Sequence, residues 1–440
     1  MATLVIGGGW SGIAAAMGLA MRGCEVVLVE ERPYLGGRAR SFVDRQSGDE
    51  IDNGQHVMMG CYHDLLRVVR ELGTEHILER QKALTVAFVD PSGIHDVLDA
   101  SRLPGKAGIA VGMLMLRGIG LRSRLAGLRL ALRISLGSVT GKGMSCAEFL
   151  AQQSQPDDII RRFWEPIVLA TLNAPLEKAS ASLLVEVMRL AFLGSTTDAQ
   201  LLIPTAGLSA LLEPFPRWMQ ENNGRIMTST SVDRLVVSDG EIRSAELSNG
   251  TSLSVDAVIS AVPQRALSRL LATSELPDDL PPPPEMSPII SVYLWYDKPW
   301  MPYDFAAALG TTVQWVFDKR RTRNGLVALT VSAGHGIVAE PSEDIISLCD
   351  KELRLLFPEL SSIRLINGVV IKEKWATPLF TPLDDEKRVE CGTPSARNLF
   401  LAGDWTRTGL PATLEGAVRS GFTASDAVLK QGTGIRLPHR

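Results

Sequence analysis

No uncharged apolar run in this 440-residue chain approaches the roughly 18 residues that a bilayer-spanning helix needs, so no membrane span is expected. Cysteine is scarce. The five present (Cys24, Cys61, Cys146, Cys349 and Cys391) are odd in number, scattered, and form no C-x-x-C pair. That pattern excludes a structural zinc framework and suits isolated thiols in a reducing compartment. The six histidines are equally dispersed and give a metal centre nothing to build on. A net charge of −4 gives nucleic acid no electrostatic footing. A secretory leader needs a basic stretch, an apolar stretch and a cleavage site. Here Ala2 already begins a strand that runs into a glycine loop, so the chain is expected to stay in the cytoplasm.

What is present begins with one β-α-β unit. Thr3–Ile6 is an apolar strand, Gly7-Gly-Gly9-Trp10-Ser11-Gly12 a glycine turn, Ile13–Arg22 an alanine- and methionine-rich helix, and Glu25–Glu30 a second strand. Gly7 permits the tight turn, Gly9 lets the backbone approach a pyrophosphate, and Gly12 lets the helix pack on the sheet with its N–H groups aimed at phosphate. Glu30 ends the second strand, where a carboxylate accepts hydrogen bonds from an adenosine ribose. The whole unit predicts dinucleotide binding.

Glu30 is followed by Leu35-Gly36-Gly37-Arg38. Here the sequence resembles the superfamily of FAD-dependent amine oxidases and phytoene desaturases, in which a Gly-Gly-Arg segment returns to the pyrophosphate. Two glycines allow that close approach, and Arg38 offers a forked donor to phosphate oxygens. Near the C-terminus, the apolar strand Asn398–Ala402 ends in Gly403-Asp404-Trp405, and Thr413-Leu414-Glu415-Gly416 opens a helix. The resemblance implies that Asp404 binds the ribityl chain and that the helix start, at Thr413 and Leu414, faces the flavin's pyrimidine edge, where its dipole favours negative charge. It also implies that the backbone of Val232 pairs with adenine. The expected fold is α/β: a discontinuous Rossmann-type FAD-binding domain (1–60, 204–275 and 385–440) and an α+β substrate domain (61–203 and 276–384) with a helical, membrane-facing part. Pro281–Pro284 is a stiff connector between them.

Residues 100–147 hold eight Lys or Arg and no Asp or Glu among Leu, Met, Ile, Gly and Ala. Charge of one sign on apolar helices predicts peripheral contact with anionic lipid at the inner face of the membrane; arginines snorkelling along the segment's own surface are the bland alternative.

Further motifs narrow the resemblance: Asp52-Asn-Gly54-Gln55-His56, Phe163-Trp164-Glu165-Pro166, Gln314-Trp315-Val-Phe317 and Gly403-Asp-Trp405-Thr406. Together they look like the hydroxysqualene dehydroxylases of bacterial hopanoid biosynthesis. The segment 409–414 carries no aromatic residue for an amine-binding cage and no cysteine for a covalent flavin link, so an amine substrate is disfavoured and FAD is expected to bind non-covalently. The implied chemistry converts an allylic alcohol to the hydrocarbon. An acid protonates the leaving hydroxyl, reduced FAD provides hydride, and an apolar wall keeps water from the cation. The resemblance makes His56 or Glu165 the candidate acid, each also readable as a structural residue. Gly54, Gln55 and His56 are further flavin contacts, and Trp164, Trp315 and Trp405 are candidate pocket walls. The partner is thus a long isoprenoid lipid. No second glycine fingerprint names an electron donor. A carotenoid desaturase or isomerase would share every FAD motif, whereas a non-catalytic lipid escort protein would lack an intact Gly7–Gly12 loop.

Overall fold

The computed structural model describes residues 2–433; Met1 and residues 434–440, the end of the expected third FAD-binding segment, lie outside the described residues. Its first layer is a five-stranded parallel sheet in the order Gly224–Met227, Glu25–Val29, Ala2–Ile6, Ala257–Ser260, Leu399–Leu401. These strands come from the three segments 1–60, 204–275 and 385–440. They are short and nearly all apolar because helices or hairpins cover both faces.

The first helix spans Trp10–Ala20 rather than starting at Ile13, because Gly9 is extended and caps it directly. Ser11 and Gly12 therefore belong to its first turn. After Gly207 the chain makes a turn at Leu208–Leu211 and a separate helix at Phe215–Glu221. Pro214 and Pro216 lack the N–H groups a continuous helix would use.

The C-terminal helix Leu414–Thr433 lies against Trp10–Ala20 at backbone range. A Cβ on Gly421 would stand 2.1 Å from the Ser11 carbonyl oxygen, and one on Gly18 would stand 2.3 Å from Ser425 Oγ. At Gly421 the contact is with backbone, so only glycine fits there without a shift.

The second layer is a seven-stranded sheet in the order Leu365–Pro378, Met286–Tyr296, Leu326–Val331, Trp315–Asp318, Phe305–Ala308, Thr85–Val89, His95–Asp99. Segments 61–203 and 276–384 both contribute to it. All its pairs are antiparallel except Phe305–Ala308 with Thr85–Val89. One face carries Ile290, Val292, Leu329 and Val331 against Ile345, Cys349 and Leu353 of the helix Ser342–Leu356. The other turns toward a cap of short helices between Cys146 and Phe192.

Two further helices, Gly105–Met115 and Leu121–Ser135, carry the basic segment. The second buries Ser123, Gly127, Leu130 and Ile134 on one side. At 100° per residue, Leu121, Leu125, Leu132 and Leu136 align on the opposite side, exposed by 61, 53, 59 and 72%. Arg122, Arg129 and Arg133 are exposed along the edge of this stripe. Among the described residues, no helix is long and apolar enough to cross a membrane.

Because a methyl group at Gly421 meets backbone rather than a movable side chain, Gly421→Ala is expected to destabilise the fold by about 1–3 kcal/mol. Chemical denaturation of the two proteins checks this; an unchanged midpoint would mean that the two helices have room to separate.

Candidate active site

The strand Ala2–Ile6 leads into Gly7, whose φ of +103° turns the chain back. The turn is so tight that a Cβ on Gly12 would lie 1.8 Å from the Gly7 carbonyl oxygen. A Cβ on Gly9, by contrast, would find its nearest neighbour, Gly37 Cα, 4.0 Å away, so this side of the loop is open. Gly37, at φ +62°, brings the Gly-Gly-Arg arm back onto the loop; a Cβ there would stand 3.2 Å from Gly9 Cα. Gly36 N–H donates to the Gly8 carbonyl at 2.9 Å. Glu30 fixes the same loop from the next strand, its Oε2 accepting from Gly8 N–H at 2.6 Å and its Oε1 from Arg32 N–H at 2.8 Å. Trp10 is buried, and its Nε1 has no hydrogen-bond partner among the described residues. A side-chain-free cradle at a helix N-terminus, with a carboxylate beside it, fits a dinucleotide.

The C-terminal arm closes the cradle. After Leu399–Leu401 comes Gly403, with φ +142°, where a Cβ would strike the Trp405 indole 2.5 Å from Nε1. Gly403 N–H donates to Ser420 Oγ at 2.7 Å, tying the turn to the last helix. Thr413 Oγ1 accepts from Gly416 N–H at 3.2 Å in that helix's first turn. Asp404 takes a partner the sequence did not suggest. Arg38 Nη2 lies 2.8 Å from each of its carboxylate oxygens, and Arg38 Nη1 donates to the Ala376 carbonyl at 2.6 Å. The arginine fork expected to face phosphate is thus engaged by a carboxylate, an ion pair between the two ends of the FAD-binding segments.

One cavity of about 1710 Å³ is bordered by Gly7, Gly9, Trp10, Ser11, Glu30, Gly37, Arg38, Val232, Gly403, Asp404, Thr413 and Leu414 at its polar end. Pockets for a single small molecule occupy about 300–1,000 Å³, so this space suits a cofactor and a second large molecule. Gly12 is set back from the cavity, in keeping with its packing contact on Gly7. The far end is walled by Phe88, Phe163, Phe192, Phe305, Trp315 and Phe317. Phe163 and Phe192 each come from a π-helical turn, Ile160–Trp164 and Met188–Phe192. Such turns shift the direction of side chains relative to an α-helix.

Two expectations fail on this register. Trp164 is fully buried, pointing into the helical cap with Nε1 donating to Gln155 Oε1 at 3.0 Å, so Phe163 takes the wall position instead. Glu165 is half-buried at the start of the helix Glu165–Leu172, whose cavity face is Pro166, Ile167 and Ala170. Burial, then the charge of Glu177, raise its carboxyl above the usual range against the opposing pull of Arg161. Its side chain is outside the cavity, and the acid role expected of it is lost. Trp405 lines the cavity, but at the dinucleotide end, donating to the Val262 carbonyl at 3.2 Å; it is not part of the aromatic wall.

Between the two ends lie Gly54, Gln55 and His56. Gln55 is anchored in a buried network: its amide donates to the Tyr293 hydroxyl, that hydroxyl donates to the Asp52 carbonyl at 2.9 Å, and Lys319 Nζ reaches Gln55 Oε1 at 3.2 Å and Asp52 Oδ2 at 3.5 Å. Among the described residues His56 has no such tether. Burial and, secondarily, Arg38 hold its imidazole below the ordinary histidine range, with Asp52 opposing. The sequence reading missed Tyr293 and Lys319, and it missed Ser291 and Thr330 on the adjoining sheet. The signal for the first was present in Ile-Ile-Ser-Val-Tyr, whose alternation puts Ser291 and Tyr293 on one face.

Comparisons with known proteins agree with this geometry. Hydroxysqualene dehydroxylase of Rhodopseudomonas palustris is 30% identical over 97% of this chain and 98% of its own length. Hydroxysqualene dehydroxylase of Sinorhizobium fredii is 29% identical with the same coverage, 97% and 98%. In fold, the chain matches the crystal structure of an oxidoreductase from Methanosarcina mazei with a TM-score of 0.73 at 16% identity, covering 97% of this chain and 100% of that one. The family profile for flavin containing amine oxidoreductases matches residues 10–429. The chain therefore belongs to the flavin containing amine oxidoreductase family and is an FAD-dependent oxidoreductase.

Proposed function

We propose that this enzyme converts hydroxysqualene to squalene, using FAD, at the junction of the polar and aromatic ends of its cavity. The single observation that carries the reading is the continuity of that cavity: a dinucleotide cradle opens into an apolar chamber large enough for a second, elongated molecule. The relatives named hydroxysqualene dehydroxylase align over nearly their whole length, which supports the same substrate here.

In this reading Glu30 holds the adenosine ribose, and the Gly9–Gly37 cradle with the Trp10 helix start holds the pyrophosphate. The Val232 backbone meets adenine, Asp404 the ribityl chain, and Thr413 with Leu414 the pyrimidine edge. The FAD-binding part comprises 1–60, 204–275 and 385–440, and the substrate part 61–203 and 276–384. Reduced FAD, when bound, provides the hydride that replaces the hydroxyl. The phenylalanine and tryptophan wall excludes water and offers ring faces to developing positive charge. His56 delivers the proton that lets the hydroxyl leave as water; it is the sequence-derived acid candidate that borders the cavity. The leucine stripe of Leu121–Ser135, with its flanking arginines, rests on the anionic inner face of the membrane, from which an insoluble substrate is drawn.

Three results test this. Anaerobic mixing of photoreduced holoenzyme with hydroxysqualene is expected to yield squalene and oxidised flavin together. Phytoene turnover with no squalene formed would instead favour a carotenoid-type reaction. Since the His56 pKa is lowered, imidazolium is the minor form at neutral pH. A reaction needing it is expected to accelerate by up to about tenfold per unit as pH falls toward that pKa. His56→Gln is expected to flatten this slope, and an unchanged slope would remove His56 from the role. Finally, Leu121→Ser/Leu132→Ser is expected to weaken cosedimentation with anionic phospholipid vesicles by about tenfold or more; equal binding by both proteins would place the membrane contact elsewhere.

A further inference from the structure

Three side chains stand in one row across the seven-stranded sheet. Ser291 pairs with Thr330, and Thr330 pairs with Trp315 on its other side. Directly paired residues point to the same face, about 4.5–5.5 Å apart at Cβ. The residues flanking them, Ile290, Val292, Leu329, Val331 and Val316, belong to the core on the opposite face. The row therefore faces the cavity, and Thr330 and Trp315 line it.

Each of the three carries a buried polar atom with no hydrogen-bond partner among the described residues: Ser291 Oγ, Thr330 Oγ1 and Trp315 Nε1. Ser291 is 1% and Thr330 9% exposed. Polar atoms so placed are normally satisfied, and a row of three next to an otherwise phenylalanine-rich wall calls for a polar ligand atom. Its position also relates it to His56. A Cβ on Gly54 would stand 3.6 Å from His56 Nε2 and 3.8 Å from Ser291 Oγ, so both groups converge on the space this glycine leaves open.

We propose that Ser291, Thr330 and Trp315 form the seat for the substrate's hydroxyl group and are the specificity determinants that separate a hydroxylated isoprenoid from a hydrocarbon one. The inference rests on the dehydroxylation reading and names the residues that recognise its one polar atom. An alcohol oxygen accepts two hydrogen bonds and donates one. The Trp315 indole donates only, and each hydroxyl either donates or accepts, so with Ser291 and Thr330 able to pair with each other the row supplies the donor and the acceptor that the alcohol needs beside His56. A ligand lacking the oxygen would leave buried groups of the row unpaired. Sites built in this way reject the deoxy analogue strongly, because the loss falls on the site as well as on the ligand.

The test compares dissociation constants of hydroxysqualene and squalene for the oxidised FAD holoenzyme, read from the flavin absorption band. Wild type is expected to favour hydroxysqualene by at least about tenfold. Thr330→Val, which keeps the side-chain shape, and Ser291→Ala are expected to erase most of that preference while squalene binding stays within about twofold, with Thr330→Ser restoring it. In turnover, Thr330→Val is expected to raise KM more than it lowers kcat. Undiminished preference in both variants, equal weakening of both ligands, or no preference in wild type would overturn the seat. If wild type turns over hydroxysqualene yet the variants discriminate normally, only the seat fails. If wild type prefers the alcohol but makes no squalene, the activity reading fails.

Discussion

The near contact of the first and last long helices governs the rest of this molecule. Gly421 meets the Ser11 carbonyl and Gly18 meets Ser425 at distances that leave no room for a side chain. Those four residues lie at opposite ends of the sequence, yet each helix start borders the same cavity. Pressing the helices together places the Gly7–Gly12 turn beside the Gly403–Asp404 turn. The Arg38–Asp404 ion pair then bridges the two arms at 2.8 Å. An added atom at either glycine would be felt as a displacement of one cofactor arm from the other, so packing and cofactor affinity are coupled through backbone geometry.

The same arrangement explains how one space serves two kinds of ligand. Its polar end is built from turns and helix starts, where backbone N–H groups are free to bind an anion. Its apolar end is built from a sheet face and a helical cap. Two π-helical turns aim Phe163 and Phe192 inward while Trp164 is buried behind them. Among the polar groups on the sheet side is the Ser291–Thr330–Trp315 row, with His56 nearby between the two ends.

Much of the polar end was legible in the sequence because its chemistry is local. A glycine turn between a strand and a helix, an acid at the end of the next strand and a Gly-Asp turn before the last helix each declare themselves within ten residues or so. The apolar end was less legible because its geometry is non-local. Trp164 and Glu165 sit in a motif that promised a wall and an acid, but a π turn sets which of four successive side chains faces inward, and no residue type announces it. Trp405 lines the cavity as the sequence suggested, but the turn at Gly403 folds its indole toward Val262, away from the aromatic wall. The row of unpaired hydroxyls depends on strand register between residues far apart in sequence, which periodicity alone does not fix. The basic segment was legible in composition, whereas its single leucine stripe needed helix boundaries.

The central claim is that both ends of the chain enclose one FAD. The most direct measurement is the ratio of acid-released FAD to protein in the purified, full-length material. One FAD per chain, freed without proteolysis, is the result this architecture requires. Colourless protein that takes up no added FAD would contradict it, and the substrate assignment would fall with it.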